Sequence, residues 1–362
     1  MILSGTEFDD AESFRDSEYY GWREIPRGTH DWYTLVKNIE NVRMGNNFSY
    51  KTVLRLEGVD YANGMASFVD QYTLQLKQDE NANGSSTDAT ISSKHFIISP
   101  GGYPRLLDIP GIELSITSDD IFSLPHRPGK TVIVGGGYIA LECAGFLHAL
   151  GYDVTILLRS IPLRGFDREY SEKVLKHLED DGVKVIREAV PTSIYQRDDS
   201  ECNTSQTTAV PKNITWEYVS GEKPENNEIP CDTVLMAVGR DARTDALALE
   251  NAGVDVCERT GKVHVDPETN RTSCTTIFAV GDAAKGKAEL TPVAIKEGTA
   301  IARQIFQSKN VSQKVVPTTV FTPLEYSSAG LSEEDAKKQY GDENIEVYHT
   351  NFTVSFFSVY VS

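Results

Sequence analysis

The chain has 362 residues, 40% hydrophobic and 24% charged, and is strongly acidic, with 35 Lys and Arg against 53 Asp and Glu for a formal net charge of -18. This length allows two or three domains with sizeable cores, while the charge repels phosphate backbones and anionic lipid surfaces, which argues against nucleic acid and membrane partners. No apolar run approaches the ~20 residues of a membrane helix, and the opening Met1-Ile2-Leu3-Ser4-Gly5 lacks the basic flank and apolar core of a secretion signal, so a cytoplasmic location is expected.

In chain order, the stretch up to about Asn46 reads as helical, with Phe8, Phe14, Trp32, Leu35, Val36 and Ile39 in partial helical period and breaks at Gly21-Trp22 and Pro26. Strands are predicted over 51–56, 67–69, 72–76 and 95–98, with a turn at 81–86, as a small antiparallel insertion rejoining a sheet. The Pro- and Gly-containing segment 124–130 reads as a linker. Beyond it the pattern becomes strand (131–134), helix (138–150), strand (153–158), helix (168–180) and strand (183–186), followed by two short alternating runs near Ile194 and Trp216. The apolar run 233–238 has the composition of a buried parallel strand. A further strand at 276–280 and a helix at 292–307 follow, and the segment from Val316 opens another part. The class is α/β.

The five cysteines, Cys143, Cys202, Cys231, Cys257 and Cys274, form no Cys-x-x-Cys or Cys-x4-Cys pair. They read as isolated thiols, without a local redox disulfide or a zinc site.

Gly135-Gly136-Gly137-Tyr138-Ile139-Ala140 fits the G-x-G-x-x-G/A turn between a buried strand and a helix. Gly135 permits the tight turn, Gly137 lets a pyrophosphate approach the backbone, and Ala140 allows close helix-strand packing; the helix N-terminus supplies N–H donors and partial positive charge. A NAD site needs a carboxylate at the end of the second strand to accept from the ribose 2′-OH. Here Arg159, Ser160 and Arg164 follow that strand, and two guanidiniums with a hydroxyl suit a 2′-phosphate. NADPH is therefore the expected nucleotide, the competing reading being that both arginines are plain surface charges.

Longer runs are specific. Val132 to Leu147, then Leu158 to Asp167, Asp16-Ser17-Glu18-Tyr19-Tyr20-Gly21-Trp22, Ala237-Val238-Gly239-Arg240, Ile277 to Asp282, Glu289 to Ile295, and Val316 to Tyr326 closely resemble high-molecular-weight thioredoxin reductases, within the class I pyridine nucleotide-disulfide oxidoreductases. Glutathione reductases share the first run and match the second less well. The resemblance implies a Rossmann-like, two-domain FAD/NAD(P)-binding flavoprotein fold, with an NADPH domain (128–241) inserted in an FAD domain (1–127 and 242–316) and an interface domain from 317.

Position by position, it implies NADPH contacts at Gly135, Gly137, Tyr138, Ile139, Ala140, Glu142, Arg159, Ser160, Arg164, Val238, Gly239 and Lys262. Tyr138 would cover the flavin where the nicotinamide stacks, and Glu142 would orient the nicotinamide; a helix-face acid at Glu142 and a surface lysine at Lys262 are the alternatives. FAD contacts are implied at Ala66, Gly101, Gly281, Asp282, Glu289, Leu290, Thr291 and Pro292. Asp282 would accept from ribityl hydroxyls, and the helix beginning near Thr291 would favour negative charge on the reduced ring.

Relatives carry, before the point where this chain begins, their own glycine-rich βαβ unit for FAD and a Cys-x4-Cys pair. Further on they carry an interface domain with a His-Glu acid/base pair, and the likeness here fades after Thr353. Pro100 also stands in Ser99-Pro100-Gly101-Gly102 where relatives have Ala-Thr-Gly. None of His95, His126, His148, His264 and His349 matches the acid/base position. The expectation is therefore an incomplete member with no catalytic residues of its own, binding NADPH, holding FAD weakly and inactive alone, whose complete form reduces thioredoxin or a related disulfide as a homodimer. A mitochondrial location stays open on this reading. The competing functions are a non-catalytic NADPH-binding or dominant-negative partner, and a piece of a glutathione or thioredoxin glutathione reductase.

Overall fold

The computed structural model describes residues 30–77, 88–197, 209–307 and 316–350. The turn expected at 81–86, Cys202, and the terminal residues 1–29 and 351–362 lie outside the described residues. In chain order the elements are α1 (Trp32–Leu56), β1 (Met65–Asp70), β2 (Thr73–Lys77), β3 (Ala89–Ser92), β4 (Phe96–Ile98), β5 (Gly102–Pro104) and β6 (Ile116–Thr117). Next come β7 (Thr131–Val134), α2 (Tyr138–Ala149), β8 (Val154–Leu158), α3 (Arg168–Asp181), β9 (Lys184–Arg187), β10 (Ala189–Gln196), β11 (Lys212–Tyr218), β12 (Glu228–Cys231) and β13 (Thr233–Met236). The chain continues through β14 (Arg240–Ala242), β15 (Ile277–Ala279), α4 (Thr291–Gln307), β16 (Pro317–Val320), β17 (Tyr326–Ala329) and α5 (Glu333–Tyr340). These form two compact units, the first of Met1–Glu40, Leu106–Gly239 and Pro317–Ser362, the second of Asn41–Arg105 and Arg240–Val316.

The first unit is organised by a parallel sheet in the order β6-β13-β7-β8-β9. Its central strands β7, β8 and β13 are buried on both faces, and the period of two sorts their side chains. Ile133, Ile156, Leu158 and Leu235 pack with α2 and α3, whereas Val132, Val134, Leu157, Val234 and Met236 pack with Ile194, Ile214 and Trp216 of the antiparallel β10-β11-β12 sheet. Asp167 caps α3 by accepting from the Glu169 and Tyr170 N–H groups, and Gly182 ends it at φ 115°. Trp32 is fully buried in this unit, its indole N–H donating to the Leu124 carbonyl at 3.0 Å and its ring edge-on to Tyr152.

The strand expected at 51–56 is corrected: those residues complete α1, a single helix of 25 residues. Lys51, Leu54, Arg55 and Leu56 are all good helix formers. The helix ends where Gly58 takes φ 69°, with the Val59 N–H donating to the Leu54 carbonyl and the Gly58 N–H to that of Arg55, the arrangement that glycine permits at a helix C-terminus.

The second unit holds the antiparallel β1-β2-β3 sheet, the parallel pair β4-β15 and the antiparallel pair β5-β14. Phe68, Ile98, Leu249, Val263, Ile277 and Ala279 form its main core, and Ile301 of α4 packs on Phe278 and Val280.

Candidate functional site

In the first unit, Gly135 stands at φ 142° directly after β7, and a Cβ there would overlap the Ala237 carbonyl oxygen, so the turn closes only with glycine. A Cβ on Gly136 would meet the end of the Leu158 side chain, whereas Gly137 faces open space. Gly137 is the N-cap of α2 and supplies no side-chain cap, so the first turn of the helix presents its N–H groups and dipole to whatever occupies that space. The loop leaving β8 returns to the same place. Leu163, buried and at φ 43°, donates its N–H to the Gly136 carbonyl at 2.7 Å, and Arg164 Nη2 donates to Ser160 Oγ at 2.9 Å. Arg159, Ser160 and Arg164 are all exposed, so the structure joins the glycine turn to a loop offering two guanidiniums and a hydroxyl.

Tyr138 and Ile139 begin α2, Tyr138 exposed, and Ala140 is fully buried against the sheet. Val238 and Gly239 follow β13, Gly239 exposed at φ 130°. Glu142 is only 8% exposed. Its Oε1 accepts from the Phe321 backbone N–H at 2.9 Å, and burial raises its carboxyl above the usual range, partly offset by that hydrogen bond. Glu142 therefore holds the segment after β16 onto α2. Sequence reasoning missed this partner, which lies 179 positions away. Leu163 was missed too; with Ile161, Pro162 and Phe166 beside it in the same loop, it carried no distinguishing signal.

The second unit gathers another group. Asp282 lies in a short 3-10 turn with Gly281 at φ 62°, whose N–H donates to Glu297 Oε2 at 3.1 Å. Desolvation raises the Asp282 carboxyl, helped by the negative charge of Glu289 and opposed by Arg240 and Lys262. Lys262 is ion-paired with Glu289; expected among the NADPH contacts, it sits in the second unit beside residues expected for FAD. Leu290, Thr291 and Pro292 lead into α4, with Thr291 and Pro292 exposed. Ala66 pairs with Leu76 across β1-β2, and Gly101, at φ 72°, accepts from the Arg243 N–H.

The free cysteines among the described residues are Cys143, Cys231, Cys257 and Cys274. Burial pushes the Cys143 thiol far up and that of Cys231 to about 12, while hydrogen bonding by Thr260 lowers that of Cys257. No cluster of His, Cys, Asp and Glu suited to a metal occurs among the described residues, and no described helix is long and apolar enough to cross a membrane.

An uncapped helix N-terminus, open space at Gly137 and a cationic loop fit a phosphorylated dinucleotide. A half-buried carboxylate one residue after a tight glycine, close to a helix start, fits the hydroxyl-bearing chain of a flavin. Together they define an α/β dinucleotide-binding protein. Residues 21–298 match the family described as pyridine nucleotide-disulphide oxidoreductase, and residues 316–361 match its dimerisation domain. The chain is 40% identical over 353 residues to thioredoxin reductase SEP1 of Emiliania huxleyi, a match covering 94% of this chain and 67% of that protein. Among solved structures it resembles the HOCl-induced flavoprotein disulfide reductase RclA of Escherichia coli, solved as a Cu(II) complex, with a TM-score of 0.73 at 23% identity over 94% of this chain and 70% of that one. The chain belongs to the pyridine nucleotide-disulphide oxidoreductase family. By family it is a disulfide oxidoreductase that uses FAD and NAD(P)H, with the two-domain FAD/NAD(P) Rossmann-like fold.

Proposed function

We propose that the chain binds NADPH and FAD as the nucleotide-oxidising part of a thioredoxin reductase, serving thioredoxin or a similar protein disulfide as final acceptor. The observation that carries this reading is the anchoring of the Arg159-Ser160-Arg164 loop onto the glycine turn through the Leu163 N–H. When bound, NADPH supplies a hydride that FAD accepts. Gly137 and the first turn of α2 hold the pyrophosphate, Arg159, Ser160 and Arg164 hold the 2′-phosphate, and Glu142 keeps the segment at Phe321 in place. Asp282 accepts from flavin hydroxyls, with Lys262 and Glu289 fixing each other beside it.

The described cysteines offer no dithiol to carry electrons beyond the flavin, since Cys143, Cys231, Cys257 and Cys274 are all free, Cys143 and Cys231 being buried thiols held protonated and Cys274 also buried. Electrons in this chain alone are thus proposed to stop at the flavin. The match at 316–361 supports pairing of two copies, as in the family. The test is anaerobic: the FAD-reconstituted chain should lose its visible flavin absorption on adding NADPH, much less readily on adding NADH, and should not reduce thioredoxin. A bound flavin that NADPH fails to bleach would refute the assignment.

A further inference from the structure

The second unit contains a cavity of about 810 Å³ between α4 and the loops at 267–270 and 285–288, within the size range of small-molecule sites. Its back wall is fixed. Lys287, with a side chain 13% exposed, donates to the Pro267 carbonyl and to Asn270 Oδ1, each at 2.8 Å, and is ion-paired at 3.3 Å with Glu297, whose side chain is 12% exposed. Glu297 in turn accepts from the Gly281 N–H, so this partly buried pair is satisfied from several sides and its charges cancel.

The open walls have a different character. Lys296, Thr299 and Arg303 line the cavity from one face of α4, at the spacing i, i+3, i+7, and Lys285 lines it from the facing loop. Lys296 and Arg303 are separated by about 10 Å along the helix axis. Of the carboxylates lining the cavity, Glu297 is spent on Lys287, which leaves Glu268 against three exposed cations. A net positive concavity therefore stands in a chain whose net charge is -18. Solvated lysines on an acidic protein would be expected to spread towards its many carboxylates; here they converge on a hollow, with Gln304 and Thr299 as neutral hydrogen-bonding groups and Ala300 and Ile301 as apolar floor.

We infer that this cavity is a second anion site, separate from both nucleotide positions, which binds a small organic molecule carrying two phosphate groups roughly 10 Å apart. None of Asp282, Lys262 and Glu289 lines it, and it does not depend on the function proposed above.

The probe is fructose 1,6-bisphosphate, which has two phosphates and no base, titrated calorimetrically into the full chain at low ionic strength. Saturable binding is expected, weakened by salt, and weakened roughly tenfold or more by Arg303→Glu and also by Lys296→Gln, as expected for loss of a charge-assisted hydrogen bond. Both residues are exposed, and thermal melts of the two variants verify that they fold. Arg159→Ala should leave the affinity for this probe unchanged. The inference is overturned if no saturable heat appears up to roughly 10 mM, or if Arg159→Ala weakens binding while the α4 variants do not, which would place the probe at the glycine turn. Inorganic phosphate binding as tightly as the bisphosphate would overturn the two-phosphate assignment.

Discussion

Replacing Arg159 with alanine separates recognition of the 2′-phosphate from recognition of the rest of the dinucleotide. The loop after β8 offers two guanidiniums and a hydroxyl, and Ser160 already holds Arg164 through the 2.9 Å hydrogen bond between them. Removing Arg159 therefore takes away one of two cations and leaves the other positioned. A hydrogen bond to a charged group contributes about 1.5–3 kcal/mol. The loop is exposed, so solvent screening places the loss at the lower end, about 1.5 kcal/mol, or roughly tenfold in Kd. NADH has only a hydroxyl at that position and should bind almost as before. The assay is a titration of both nucleotides into the wild-type and Arg159→Ala chains at two salt concentrations, with the NADPH difference shrinking as salt rises. Equal weakening of NADPH and NADH, or no weakening of NADPH, would refute the phosphate assignment and return Arg159 to an ordinary surface charge.

Three further outcomes are expected. Gly135→Ala forces a Cβ into the Ala237 carbonyl at a positive φ and should destabilise the chain by about 1–3 kcal/mol or more in urea denaturation, whereas Gly137→Ala meets open space and should spare stability while weakening NADPH; the reverse pattern would mean the turn is built differently. Because burial raises the Glu142 carboxyl, the folded chain keeps that proton to higher pH than the unfolded chain does. The stability linked to it is then fully present below the unfolded value of about 4.3 and is lost as pH rises towards the raised folded value. Glu142→Gln retains an oxygen for the Phe321 N–H and cannot ionise, so its urea midpoint should gain on the wild type as pH rises through that window; parallel curves would show that Glu142 is not desolvated. Of the four described cysteines, Cys257 should be alkylated first in the native chain, with Cys143 and Cys231 reacting only on unfolding, as peptide mapping after iodoacetamide treatment would reveal.

Much of the first unit was legible because its information is local. The apolar strands at 131–134, 153–158 and 233–238, the helix between the first two and the glycine turn joining them each lie within a few residues of sequence, and the charges read as an NADPH signal follow the second strand directly. The helix at Thr291–Gln307 was readable for the same reason, from a proline near its start and a regular apolar period. Local pattern failed at 51–56, where a short alternating run resembled a strand. A strand needs a partner to satisfy its backbone, and helix-forming residues leading to a glycine stop satisfied it within the chain.

What only the tertiary structure decided are the partners of the charged groups. Glu142 read as a site acid or a helix-face acid, and the fold makes it a buried acceptor for the Phe321 N–H. Lys262 read as a nucleotide contact or a surface lysine, and the fold ion-pairs it with Glu289 in the second unit. The cavity along α4 had no sequence signature, since Lys285, Lys287, Lys296 and Arg303 are unremarkable until a loop and a helix face are brought together. The physical reason is one of range: helix and strand periods and glycine turns are set by neighbours along the chain, whereas desolvation and charge pairing depend on which distant segments exclude water from one another.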